Sequence, residues 1–316
     1  MGNRIVAGVD LGGTKCLGVL ADLSGQVVFE YRLGLSETGG AEPALARVCQ
    51  RLAGAAQQQG HQLVAAGIGV PAVLDPVTGL AVRGPNTGWD GFDVTSLTTD
   101  LKVPLHLDND VNLAAIGEQR VGWALGYDTF AVLAIGTGLG GAVVGDRQLL
   151  RGAHQGAGEL GLLPAPASAG VPARDLEGVV SGVGIAAAAR SYLQKRPDAA
   201  AELGLNPDAR SVLAAATAGS PHAHEVLRPV WDGIAAAIVA LVAVADPALV
   251  IFDGSVGKAL DPFRERIARL INNHVSTVPT LTCSALTPTA TVVGAVQQAL
   301  ALLPGSVSHN HEGVTP

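Results

Sequence analysis

A short β-branched run, a glycine-rich turn and a second apolar run occur twice in this chain, and that repeat constrains the fold more than any other feature. The first copy is Ile5–Val9, then Asp10-Leu11-Gly12-Gly13-Thr14-Lys15, then Cys16–Leu20. The second is Phe130–Ile135, then Gly136-Thr137-Gly138-Leu139-Gly140-Gly141, then Ala142–Val144 and a turn at Gly145-Asp146. Each reads as a β-hairpin, and Asp22-Leu23-Ser24-Gly25 followed by Val27–Tyr31 extends the first into a three-strand meander. The similar length and position of the copies favour an internal duplication over two hairpins that merely carry glycines. Gly136, Gly138 and Gly141 match G-x-G-x-x-G, but a dinucleotide loop leads into a helix. Here an apolar strand follows, and no Walker A sequence occurs. What remains is a hairpin loop with exposed amides, which is either a plain tight turn or a phosphate cradle. Two such loops, one carrying Asp10, Thr14 and Lys15, favour phosphate. Lys15 would place a charge on the phosphates or stand solvated in the turn, and Asp10 could hold Mg²⁺ through water.

The remaining pattern alternates strands and helices. Helical spacing covers Glu42 to Gln59 before Gly60, Thr95–Leu101, Val111–Gly122, Asp175 to Leu193, Ala235 to Ala245, Pro262–Asn273 and Ala295–Leu303. Strands are expected at Val64–Val70, Leu105–Leu107, Leu249–Phe252 and Thr280–Cys283, with a polar tail from Ser306. This is an α/β chain, and 316 residues suggest about two domains.

Composition narrows the function. At 48% hydrophobic and 15% charged, the chain can bury a large core. A net charge of −7 with no Lys- or Arg-rich stretch argues against nucleic acid as a partner. Cys16, Cys49 and Cys283 form neither a disulfide framework nor a metal knuckle, which fits a reducing compartment. Asp10 interrupts the N-terminal apolar run before a signal peptide could form, and the run Ile234 to Ala245 is too short for a bilayer. The expectation is a cytoplasmic protein with no membrane partner.

Asp108-Asn109-Asp110 lies between a strand and a helix, where open α/β sheets collect ligands. A carboxylate there can accept a hydroxyl proton during phosphoryl transfer, or it can simply cap the helix. Capping needs one residue, and three in a row suggest that something else is held. Asn86 in Pro85-Asn86-Thr87, Glu159 among glycines and Glu177 at a helix start offer what a polyol needs, although each alone fits plain surface better than a site.

Taken in order, Asp10 to Lys15, Asn109-Asp110-Val111-Asn112 with Gly117-Glu118, Ile135 to Gly141 and Ala157-Gly158-Glu159 resemble the ROK family of bacterial sugar kinases and sugar-responsive repressors. The resemblance runs from about Ile5 to Leu303. It implies a two-domain actin-like ATPase fold, ribonuclease-H-like and hexokinase-type, with a central cleft. Residues 1–116 plus 290–316 would form the smaller domain and 117–289 the larger, the final helix from about Thr289 returning to the first. It implies an ATP- and Mg²⁺-dependent hexose kinase, most simply a glucokinase, in a homodimer or homotetramer. Asp110 would be the base, and Asn86, Asn109, Glu159 and Glu177 would hold the sugar. Gly12, Gly13, Thr14, Lys15, Gly136, Thr137 and Gly138 would hold phosphates, Gly254 would sit by the adenosine, and Asp10 would serve Mg²⁺. Three departures stand out. Leu162 replaces the family's histidine, Pro164 to Arg174 lacks its cysteines, and Asp253-Gly254-Ser255 replaces a glycine triplet. No zinc is therefore expected, and the sugar could be mannose, fructose or an N-acetylhexosamine, the donor polyphosphate, or the protein a sensor. The repressor branch carries a helix-turn-helix before the first hairpin, for which Asp10 leaves no room.

Overall fold

The computed structural model describes residues 3–75, 78–83, 92–166 and 175–304. The chain divides into two compact units, Met1–Leu113 with Thr291–Pro316, and Ala114–Ala290. Among the described residues, the first unit begins with β1 (Arg4–Leu11), β2 (Lys15–Asp22), β3 (Val27–Gly34), α1 (Ala41–Gln58) and β4 (Gln62–Val70). The short β5 (Val73–Leu74) and β6 (Ala81–Arg83), α2 (Val94–Leu97), β7 (Leu105–Asn109) and the start of α3 (Asp110–Val121) follow. The second unit continues α3 into β8 (Phe130–Ile135), β9 (Leu139–Gly145), β10 (Gln148–Leu149), α4 (Glu177–Val180) and α5 (Gly182–Lys195). It goes on through α6 (Ala200–Leu203), α7 (Ala209–Thr217), α8 (Pro221–Ala245), β11 (Leu249–Asp253), α9 (Gly254–Lys258), α10 (Arg264–Ile271) and β12 (Thr280–Cys283). The last helix, α11 (Ala290–Ala301), belongs to the first unit from Thr291 onward.

Each unit holds one five-stranded sheet, and the two sheets share a plan. The first runs β3-β2-β1-β4-β7, the second β10-β9-β8-β11-β12. In both, a three-strand antiparallel meander is followed by two strands parallel to its first strand, the nearer pairing with that strand and the farther with the nearer. The repeat seen in the hairpins thus extends to the whole sheet. The second turn is shorter than the sequence suggested: Gly140 and Gly141 pair within β9, which leaves Gly136–Gly138 as the loop.

Strand alternation sorts the first sheet into two faces. Ile5, Ala7, Val9 and Leu11 join the core under α1, with Leu45, Val48 and Leu52. Val6, Leu17 and Val19 on the other face pack against Val292, Val296 and Ala299 of α11. Small residues there let α11 come close: a Cβ on Gly67 would lie 2.0 Å from the Ala295 carbonyl oxygen.

In the second unit α8 is the central core helix. It is long and apolar enough, by length and composition, to cross a membrane. Its Leu227, Trp231, Ile234 and Ile238 are instead fully buried, in one core with residues of β8, β11 and the neighbouring helices. Its first half carries polar residues and Pro229, which is why its sequence pattern was visible only from Ala235. The three cysteines are unpaired. Burial pushes the thiols up, to about 12 at Cys49 and about 11 at Cys283, and higher at Cys16.

The glycine contacts predict opposite effects at two positions. In Gly67→Ala the new methyl meets backbone that cannot rotate away, and a loss of about 1–3 kcal/mol or more is expected in urea unfolding. In Gly54→Ala, inside α1, it meets nothing within 4 Å, and a gain of about 0.5–1 kcal/mol is expected from helix propensity.

Candidate active site

The carboxyl ends of the parallel strands in the first sheet carry two aspartates, Asp10 and Asp108. Asp10, Gly69 and Asp108 stand side by side across β1, β4 and β7. Alternation places Asp10 on the face of Val6, towards α11. On the neighbouring strand, a Cβ at Gly69 would lie 2.7 Å from Thr291 Cγ2 and 3.4 Å from the Asp110 Cα. Asp10 and Asp110 therefore share one end and one face of the sheet.

The three polar residues after β7 divide the work of holding that corner. Asp108, 5% exposed, accepts the Asn109 N–H at 2.8 Å and the Asn112 Nδ2–H at 2.9 Å. His106 Nε2 stands 3.5 Å from its other oxygen. Asn109 Oδ1 caps α3 by accepting the Val111 and Asn112 amides at 2.8 and 3.3 Å, while its Nδ2 donates to the Ala72 carbonyl at 3.4 Å. Capping and buried pairing thus account for Asp108 and for the Asn109 oxygen. Asp110 is the first helical residue, half-buried, its carbonyl accepting the Thr291 hydroxyl at 3.1 Å.

The two hairpin loops are equal in length, Gly12–Thr14 and Gly136–Gly138, each lying between its two strand ends. Gly12 N–H donates to the Lys15 carbonyl at 2.9 Å, and Gly136 N–H to the Gly138 carbonyl at 3.0 Å. Gly13 and Thr14 are exposed. A Cβ at Gly136 would meet nothing within 4 Å, and one at Gly12 only an ordinary contact at 3.5 Å. Neither position has a left-handed φ. The chain's own packing therefore does not require glycine there, whereas a phosphate lying close on the amides would.

Gly138 is different, because its glycine has an internal cause. A Cβ there would lie 2.6 Å from Glu177 Oε2, the oxygen that accepts the Leu139 N–H at 2.9 Å. Glu177, at the start of α4, thus latches the second loop, a role hidden in the sequence because its partner is 38 residues away. Gly182 N–H donates to the Gly136 carbonyl at 2.8 Å and steadies the same loop. Gly254 opens α9 with φ +79, and a Cβ there would lie 2.4 Å from the Ile135 carbonyl oxygen. Gly254 therefore abuts the loop's first residue.

Glu159 is half-buried beside Gly158, whose φ of +91 lets the chain cross the Gly141 carbonyl. Leu162 ends the short turn Leu160–Leu162 as an exposed apolar side chain. Asn86, and residues 167–174 of the segment expected to lack zinc ligands, lie outside the described residues. No group of three His, Cys, Asp or Glu that could hold a metal occurs among the described residues.

These features set the chain beside known proteins. A model of the ROK family matches residues 6–302. The chain belongs to the ROK family. It is 28% identical over 277 residues to a glucokinase of Halalkalibacterium halodurans, covering 83% of each chain. To a glucokinase of Streptomyces coelicolor it is 26% identical over 312 residues, covering 93% of this chain and 97% of that one. A solved ROK family glucokinase of Streptomyces griseus, in complex with glucose and AMPPNP, matches with a TM-score of 0.79 at 27% identity, over 93% of this chain and 99% of that one. The fold is the two-domain, actin-like ATPase fold of those ROK kinases.

The two loop glycines predict separable defects. Gly136→Ala should leave unfolding free energy within about 0.5 kcal/mol of wild type yet weaken binding of a triphosphate nucleotide, by calorimetry, about tenfold. Gly138→Ala should cost about 1–3 kcal/mol of stability by displacing Glu177.

Proposed function

We propose that this protein is a hexose kinase that transfers the γ-phosphate of ATP to the 6-hydroxyl of glucose. The observation that carries the reading is Asp110, a half-buried carboxylate fixed at the carboxyl end of the first sheet beside the glycine hairpin, with Asp108 and Asn109 holding the turn beneath it. The glucokinases among its relatives support the same reading.

In this reading Asp110 takes the proton of the 6-hydroxyl as that oxygen attacks the γ-phosphorus in line. The new O–P bond forms as the bond to the β-phosphate oxygen breaks, and ADP leaves. The amides of Gly12–Thr14 and Gly136–Gly138, with Lys15 and Thr137, hold the phosphate chain where charge develops. Asn86, the Asn109 amide group, Glu159 and Glu177 hold the other sugar hydroxyls, and Gly254 lies by the adenosine. Bound Mg²⁺ would neutralise phosphate charge. A single carboxylate such as Asp10 at the root of the hairpin suits an ion that keeps several waters and shares phosphate oxygens. Buried, unpaired thiols at Cys16 and Cys49 support a reducing, cytoplasmic setting.

One observation favours a second reading. Leu162, where family members carry a sugar-contacting histidine, is an exposed apolar side chain. Its loss points to a different sugar or to a sensor that binds sugar without turnover.

The test is ADP release from Mg·ATP across glucose, mannose, fructose and N-acetylhexosamines. Glucose should give the highest kcat/KM, with turnover of about 1–100 per second. A higher kcat/KM with another sugar keeps the mechanism and moves the substrate. No turnover with any sugar, with clear binding by calorimetry, replaces the kinase with the sensor.

A further inference from the structure

Glu118 is fully buried in α3 and takes no part in the reaction just described. Burial, opposed by its hydrogen bonds, raises its pKa above the ordinary carboxylate range. Its surroundings are built for it. Oε1 accepts the Ser284 hydroxyl at 2.5 Å, and Oε2 accepts the Trp123 N–H at 2.8 Å. Gly122 makes room, since a Cβ there would lie 2.1 Å from Oε2. Ser284, itself 3% exposed, accepts the Leu286 and Thr287 amides at 3.1 Å each. The Thr287 hydroxyl donates to Asp253, the buried residue just before Gly254. One side-chain network thus joins α3, the turn after β12 and the β11–α9 junction.

The same two stretches of chain meet again at the other end of α3. There Thr291, seven residues beyond Ser284, donates to the carbonyl of Asp110. Asp110 and Glu118 lie about 12 Å apart along one continuous helix at 1.5 Å per residue. The helix bearing the proposed base is therefore pinned at its first residue by Thr291 and two turns later by Ser284.

We infer that Glu118 and Ser284 are positioning residues for phosphoryl transfer: their buried hydrogen bond holds the far end of α3, and through that continuous helix the direction in which its first residue, Asp110, is presented. This rests on the kinase reading. A buried carboxylate costs free energy to desolvate, so a plain structural role would be filled as well by apolar packing. A polar pair that fixes direction as well as distance suits a helix whose first residue must be placed to within a fraction of an ångström.

The experiment compares wild type with Ser284→Ala and Ser284→Thr. Sugar-dependent turnover, sugar and nucleotide KM, thermal unfolding, and amide exchange at Val111 and Asn112 are measured together. Ser284→Ala removes the donor and should lower kcat about 10- to 100-fold with both KM values within about twofold. Ser284→Thr keeps the hydroxyl and should restore kcat to within about threefold of wild type. Wild-type kcat in a destabilised but folded Ser284→Ala, or equal losses in both variants, would overturn the inference. If wild type phosphorylates no sugar, the kinase reading fails by itself, and amide exchange decides the seating of α3. Faster exchange at Val111 and Asn112 in Ser284→Ala, restored in Ser284→Thr, would uphold it, and unchanged exchange would overturn it.

Discussion

The first unit depends on a helix lying close against a sheet face poor in large side chains. Val6 pairs with Ala65, Gly8 with Gly67 and Asp10 with Gly69 across β1 and β4, so one face of two central parallel strands is nearly flat. Onto it lies α11, a segment almost 300 residues from β1 in sequence, close enough that no Cβ fits at Gly67 or Gly8. Burying Val292 and Val296 there contributes about 1.5–3 kcal/mol each. The closeness also has a chemical consequence. It brings Thr291 to the end of the stripe, where Asp10 stands and where the Asp110 carbonyl accepts its hydroxyl. The corner proposed to carry the reaction is thus a product of that contact as much as of β7.

Each unit carries one hairpin loop of the same length at the same place in the same sheet plan. The loops differ in what holds them. The second is fixed by Glu177, Gly182 and Gly254, three contacts from three elements. A preset loop does not have to be reorganised when charge develops over it, which is the property that electrostatic stabilisation of a transferring phosphoryl group needs.

Much of this was legible in the sequence because it is local. The β-branched runs at 130–135 and 280–283 form strands at those bounds, and the glycine turns sit between the strands expected to flank them. Boundaries moved where pairing or capping overrode pattern. β7 runs on through Asp108 and Asn109 because β4 offers Gly69 and Val70 as partners. α11 begins at Ala290 and not at Ala295, since its first turn packs on the stripe as well, Thr291 against Gly69 and Val292 against Gly8. The separate roles of Asp108, Asn109 and Asp110 were not legible, because a run of three polar residues does not say which one caps. Least legible were the long-range polar pairs. Glu177 with Leu139 and Glu118 with Ser284 join residues 38 and 166 apart, and no spacing rule links them.

The account turns on Asp110 as the group that accepts the sugar proton, and Asp110→Asn isolates that role. The asparagine keeps the shape of the side chain at the start of α3 but cannot take a proton. Sugar binding by calorimetry should stay within a few-fold of wild type, while sugar-dependent ADP release falls about 10²–10⁴-fold, the usual contribution of a general base. Turnover near the wild-type rate in a variant that still binds sugar would contradict the account.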